Sequence, residues 1–291
     1  MSLKLLMDQM LNGIILGSMY ALFACGLSLI WGTLKMLNFA HGEFYMLAAY
    51  ILFYANTLLG IPPLLGILVA VGGVFLVGIL TERLIIHPLL DRPGWDVSPL
   101  IATLGAHIFL QNFALKIWGE RYKHVPYFFE GTLDVFDFRI AYQRLFVLMV
   151  AIVVISAFWF FLKRSRFGMA MRATSQNQES ALLMGINIYR VFTITFGVGA
   201  ALAALAATML APIFLINPWM GLQFLLKAFV VTVLGGVGSF AGAILAGIVL
   251  GIGESLTVII FSSEWKEIVA FGILILVLIV RPSGFFGEKE L

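Results

Sequence analysis

The sequence predicts an all-α, polytopic integral membrane protein with about eight transmembrane helices, some of them broken or re-entrant. Composition is the first observation behind this. Of 291 residues, 62% are hydrophobic and 11% charged, whereas a soluble domain is roughly 45–50% apolar and about 25% charged. Too few charges remain to build a water-facing surface, so most of the exterior must face hydrocarbon. The second observation is length. Apolar runs of about 20 residues recur, which is what a helix needs to cross a hydrocarbon core of roughly 30 Å. The third is that Lys and Arg sit in the short breaks between runs, where the positive-inside rule puts them.

The runs predict spans near 10–31, 39–59, 63–86, 98–118, 144–162, 191–215 and 265–280. The first follows Lys4 and Asp8 and lacks a clear small-residue cleavage site, so it reads as a retained span rather than a signal peptide. The apolar stretch 224–261 is interrupted by Leu234-Gly235-Gly236-Val237-Gly238-Ser239. Its first part, Phe224 to Leu234, is too short to cross as a straight helix. It reads as a half-span meeting a second helix, 239–258, at a glycine turn. The total is eight, or nine if the half-span crosses.

Two polar breaks orient the chain. Segment 163–190 carries Lys163, Arg164, Arg166, Arg172 and Arg190 against the single acid Glu179. Segment 119–143 carries Arg121, Lys123 and Arg139 against Glu120, Glu130, Asp134 and Asp137. The basic loop is expected on the cytoplasmic side and the acidic one outside. This puts the N-terminus outside and the tail after Arg281 inside. No soluble domain, low-complexity tract or long linker is visible. Residues 1–291 read as a single membrane-spanning domain, and no internal repeat is legible.

Several function classes drop out. The pI near 9.0 does not indicate a nucleic-acid partner, because the bases form no polar face; the environment is membrane lipid. Cys25 lies in an apolar run and is the only cysteine, so neither an internal disulfide nor a thiolate zinc site is expected. The four histidines, His41, His87, His107 and His124, are scattered and suggest no metal site. A phosphate-binding loop is absent, as are the H-E-x-x-H and G-x-S-x-G motifs. No catalytic residue and no cofactor are expected.

Three constellations remain. Asn38, His41 and Glu43 lie within six residues at the head of an apolar run. Polar side chains at membrane depth are costly, so such residues face protein or a water-filled path. Asn38 is also a natural N-cap for a helix starting at Phe39, and the readings as packing groups and as path lining are compatible. In the basic loop, Glu179 to Gly185 reads as a short amphipathic helix with Ala181, Leu182 and Met184 as apolar contacts and Gly185 as its stop. It suits either a groove on a partner or the membrane surface. Finally, Gly13-x3-Gly17, Gly238-x3-Gly242 and Gly247-x3-Gly251 have the small-xxx-small spacing of close helix contacts. Glu254 follows the last of these, either at the outer interface or on a path.

Four ordered stretches resemble one family. They are Leu37-Asn38-Phe39-Ala40-His41-Gly42-Glu43-Phe44-Tyr45-Met46-Leu47, the loop Phe167-Gly168-Met169-Ala170-Met171-Arg172-Ala173 with Asn177 and Gly185-Ile186, Val233-Leu234-Gly235-Gly236-Val237-Gly238-Ser239, and Arg281-Pro282-Ser283-Gly284-Phe285-Phe286-Gly287. Together they are similar to branched-chain amino acid permeases of the LivH type, over essentially the whole chain.

That resemblance implies a non-enzymatic transport subunit of an ABC importer in the bacterial cytoplasmic membrane. It would be paired with a LivM-type second permease. Two cytoplasmic ABC ATPase subunits would drive it, and a periplasmic or lipid-anchored substrate-binding protein would supply leucine, isoleucine or valine. The resemblance also implies that Arg172, Asn177, Glu179, Ala181 and Gly185 belong to an ATPase-coupling loop, although Ser180 stands where the family's Glu-Ala-Ala motif has alanine. Translocation-path candidates are Asn38, His41, Glu43 and Glu254, with broken helices offering their termini to the substrate's charged groups. An importer of urea or short amides, an ion-coupled carrier and a membrane-embedded enzyme are the rival readings.

Overall fold

The computed structural model describes residues 3–90, 97–135 and 138–287. Asp137 and the ends of the predicted 1–291 domain lie outside the described residues. Among the described residues, six helices are long and apolar enough to cross a membrane. They are α1 (Leu3–Leu34), α3 (Pro63–Thr81), α4 (Ser98–Trp118), α5 (Tyr142–Arg164), α8 (Ile188–Leu210) and α10 (Phe240–Ile260). Helix α3 continues through one π turn, Glu82–Ile86, and one 3-10 turn, His87–Leu89. Three shorter apolar helices join them: α2 (His41–Thr57), α9 (Met220–Gly235) and α11 (Lys266–Val280). Among the described residues this makes nine apolar helices, so the predicted half-span is a helix in its own right. Two short helices, α6 (Arg166–Gln176) and α7 (Gln178–Leu183), form the basic loop. The acidic loop carries a small hairpin, β1 (Thr132–Val135) paired antiparallel with β2 (Phe138–Ala141). Its strands are too short and mixed in polarity to stand out in the sequence.

Boundaries differ from expectation where local chemistry overrides hydropathy. The run 191–215 is not one helix. Helix α8 stops at Leu210; Ala211 keeps helical dihedrals and still donates to Ala207, but Pro212 has no amide hydrogen with which to continue the ladder. Residues 211–219 then turn back to start α9 at Met220, earlier than the predicted 224. Likewise α2 starts at His41 rather than Phe39, and Asn38 is not its N-cap. The Asn38 carboxamide oxygen instead accepts from the Ala40 amide at 3.1 Å, closing an Asx turn that steers the chain into the helix.

The same turn occurs again. The Asn217 side chain accepts from the Trp219 amide at 3.0 Å, and α9 begins one residue later. Asn38…Gly42 and Asn217…Gly221 are therefore equivalent, and they reveal a repeat. Helices α1–α4 correspond to α8–α11. Helix α1 packs on α10 as α8 packs on α3, and α1 meets α9 as α8 meets α2. The two units run in opposite senses. Helix α1 starts beside the C-terminal end of α10, where Ser255 bonds to Gln9, and ends at the basic loop, where the Gln178 amide donates to the Thr33 carbonyl. Helix α8 starts at the basic loop and ends beside the acidic loop, where Lys123 and Ile216 pair as a β-bridge. This is the inverted-topology repeat common among transporters, and its divergence hid it from the sequence.

Two of the three glycine spacings, Gly13-x3-Gly17 and Gly247-x3-Gly251, are the two faces of one contact, whereas Gly242 of the third packs on the Gly235 backbone of α9. An added Cβ at Gly13 would lie 2.6 Å from the Ile252 Cα, at Gly17 2.7 Å from the Gly247 carbonyl oxygen, and at Gly251 2.4 Å from the Gly17 Cα. Helices α1 and α10 thus touch backbone to backbone, which only small residues permit. Helices α1 and α8 form the buried centre, while α4 and α5 keep most of their surface outward.

Candidate functional site

Helices α2 and α9 begin inside the protein, against each other. A Cβ on Gly42 would sit 2.3 Å from the Gly221 carbonyl oxygen, and the Tyr45 and Phe224 rings stack at 4.1 Å across the same seam. From this meeting point α2 runs toward the acidic loop, where Tyr50 stacks on Trp118. Helix α9 runs to the basic end, where Gly236 lies against Gly287. Two non-helical entries, 35–40 and 211–219, lead into these starts.

The structure brings Asn38, His41 and Glu43 together at the α2 entry, all of them buried. His41 Nε2 lies 3.2 Å from the Phe23 carbonyl on α1, and the ring stacks on Phe23. Glu43 lies 2.9 Å from His107 Nδ1 on α4. Thr103 on α4 receives the Phe39 amide at 3.2 Å. Helix α4 therefore touches this entry through two polar side chains that hydropathy alone did not single out. His107 in an apolar span was the available signal, because such a residue needs a partner.

Glu254 is elsewhere. It is buried on α10, accepts from Tyr20 Oη at 3.0 Å and pairs with Lys227 of α9 at 2.5 Å. Lys227 also reaches Glu267 of α11 at 3.3 Å. Lys227 was missed in the sequence, although a lysine inside an apolar run of eleven residues is itself a demand for a buried acid. The other repeat has its own buried acid: Glu82, at the end of α3, accepts from Thr193 of α8 at 2.6 Å. In each unit the third helix thus offers a carboxylate to the first helix of the other.

Two cavities flank this frame. One, of about 250 Å3, lies beside Glu254 and Ser255 and is walled by α1, α5, α10 and α11. The other, of about 430 Å3, lies at the basic end between α1, α5, α6 and the start of α10, with Lys163 and Arg172 on its rim. Neither is lined by Asn38, His41 or Glu43.

The basic loop is a pair of capped helices. Ser165 Oγ accepts from the Gly168 amide at 2.8 Å to start α6. Asn177 Oδ1 accepts from the Ser180 amide at 2.8 Å to start α7. Gly185, with φ of 80°, ends α7 in a Schellman arrangement: Ile186 N donates to the Ala181 carbonyl and Gly185 N to the Leu182 carbonyl. Only a residue tolerant of positive φ fits there. Ala181 is buried against the body, Glu179 faces out, and Leu182, Leu183 and Met184 are exposed, Leu183 by 89%. Arg172 is on α6, its guanidinium 3.4 Å from the Lys163 carbonyl. Among the described residues no group of three His, Cys, Asp or Glu side chains is placed to hold a metal ion.

Comparison with known proteins identifies this frame. The family model described as branched-chain amino acid transport system / permease component matches residues 9–278. The chain belongs to this family. It is 37% identical to the high-affinity branched-chain amino acid transport system permease protein BraD of Pseudomonas aeruginosa, over 98% of this chain and 96% of that protein. It is 38% identical to the permease protein LivH of Escherichia coli K12, over the same shares. LivM, another permease protein of the branched-chain system in E. coli K12, is 25% identical over 91% of this chain and 67% of its own length. The family match spans both repeats, from α1 into α11, and so includes both helix entries and the basic loop.

Proposed function

We propose that this chain is one of two permease subunits of an ATP-driven importer of branched-chain amino acids in a bacterial cytoplasmic membrane. The observation that carries this is the near-full-length likeness to BraD and LivH. The likeness to LivM supports a related chain as the second permease. The basic loop faces the cytoplasm, where five Lys and Arg residues hold it.

Helix α7 is the coupling element. An exposed apolar trio, Leu182, Leu183 and Met184, beside the exposed Glu179 is what a groove on an ATPase would cover. Nucleotide binding favours one arrangement of the ATPases, and the rigidly capped α6–α7 pair passes that preference to α1 through Gln178 and to α8 through Gly185. Within the membrane, the buried Asn38–His41–Glu43 entry and the Glu254 pair are the polar points at which the path opens between the repeats. A periplasmic or lipid-anchored binding protein presents the amino acid at the acidic end.

The test is uptake by the assembled transporter in proteoliposomes, with ATP inside and binding protein outside. Leucine, isoleucine and valine are expected to enter and urea to stay out. Urea uptake in their place would overturn the substrate class, and uptake without ATPase subunits would make the chain an ion-coupled carrier. With the complex intact, Glu179→Lys or Gly185→Asp is expected to leave ATP hydrolysis insensitive to loaded binding protein. Wild-type stimulation in both would remove α7 from coupling.

A further inference from the structure

The cavity beside Glu254 has a composition that suits one kind of solute. One wall is apolar: Ile15 and Leu16 from α1, Ile213 and Phe214 from the α9 entry, and Val258 from α10. Charges of both signs line the same cavity. Glu254 provides a buried carboxylate. Arg144, at the start of α5, and Lys266, at the start of α11, line the same cavity. Arg144 donates to the Asn12 carboxamide oxygen, a neutral partner, and among the described residues neither cation pairs with an acid.

The charges do not cancel. Lys227 is shared between Glu254 and Glu267, leaving that trio one negative charge in excess. Arg144 and Lys266 add two positive charges. The pocket therefore presents an anionic point, a cationic pair and an apolar wall within one small volume. A neutral urea or amide would leave the cationic pair unmatched, and a simple anion would leave Glu254 facing it. Pockets of this kind, mostly apolar with a few converging polar groups, are where small solutes bind.

We propose that this cavity is a receiving site for a zwitterionic amino acid with an apolar side chain, at the acidic end of the permease itself. The carboxylate lies between Arg144 and Lys266. The ammonium faces Glu254 and the carboxamide oxygen of Gln9, which already accepts from Ser255 at 2.9 Å. The side chain rests on Ile15, Ile213 and Phe214. This deepens the importer reading and rests on it for the solute's origin. It assigns to this chain a selectivity of its own, separate from that of any binding protein.

Saturation-transfer NMR on the full chain in nanodiscs, without binding protein, tests it with leucine, leucinol and 4-methylpentanoate as probes. Leucine is expected to show transfer to its methyl groups. Leucinol lacks the carboxylate and 4-methylpentanoate the ammonium, so each is expected to bind about tenfold more weakly, the scale of a lost charge-assisted hydrogen bond. Arg144→Gln with Lys266→Gln, at an exposed and a partly exposed position, is expected to bring leucine down to the level of leucinol, and Arg144→Lys to restore part of the difference. Equal signals for all three probes, or an unchanged leucine signal in the double variant, would overturn the site. Absence of leucine binding here, with ATP-driven leucine uptake intact, sinks this proposal and leaves the importer standing. Leucine binding here, with no leucine uptake by the assembled transporter, keeps the site and removes the importer reading.

Discussion

The two repeats share a skeleton and differ in what they place at its centre. At the α2 entry the residues after the Asx turn are His41, Gly42 and Glu43; at the α9 entry the equivalents are Met220, Gly221 and Leu222. The backbone device is the same, an asparagine turning the chain and a glycine permitting the two helix starts to touch. The side chains diverge. The first entry is polar and tied to α4 through His107, whereas the second is apolar and packed on Phe214. The second unit instead carries its charge further along, on Lys227. Architecture is thus held by turns and glycines, and chemistry is distributed unequally over it.

The comparison can be broken most severely at the shared skeleton. Gly17→Leu or Gly251→Leu is expected to abolish the folded protein, because the new side chain enters the backbone of the facing helix. Gly105→Leu, at a site with open space around it, is expected to yield normal protein. Size-exclusion profiles from detergent extracts check both. Next in size is the buried lysine–carboxylate pair of the second repeat. Lys227→Met leaves Glu254 buried beside one hydroxyl, which costs about 3–5 kcal/mol for a broken buried pair. Adding Glu254→Gln is expected to recover most of it in thermal unfolding, and no recovery would mean that the pair is not the cause.

The turns should differ less. Asn38→Ala and Asn217→Ala each remove one side-chain bond to a backbone amide, worth about 1 kcal/mol. Asn38 is buried and should be the costlier of the two; equal losses would show that burial does not distinguish the entries. The smallest stability effect belongs to the basic loop. Leu183→Ser changes an exposed side chain and is expected to leave the melting temperature of the isolated chain unchanged. Under the proposed function it weakens ATPase association, measured by co-purification.

Much of this was legible in residues, and what was not has physical causes. Span positions followed from hydropathy, close helix packing at Gly13, Gly17, Gly247 and Gly251 from their spacing though not which helices meet, and the end of α7 from Gly185. The helix starts did not, because hydropathy is blind to Pro212 and to Asx turns inside apolar runs. The repeat escaped because its signature is only Asn-x-x-x-Gly, with different neighbours. The polar pairs escaped because their partners are distant in sequence: Glu43 with His107, Lys227 with Glu254, Glu82 with Thr193. A single sequence reveals that a buried charge needs an answer, but not where the answer lies.

The seam between α1 and α10 has a mechanical consequence. Side-chain interfaces yield, since rotamers shift and absorb a displacement. A contact made of glycine backbones has no such slack, so the two helices behave as one stiff strut. At its basic end Gly32 faces Gly238 and Gln178 anchors to Thr33. At the other end stand Glu254 and Ser255 on Gln9. Under the proposed function, a push on the basic loop is therefore carried along roughly 36 Å of helix, at 1.5 Å per residue, to the opposite side.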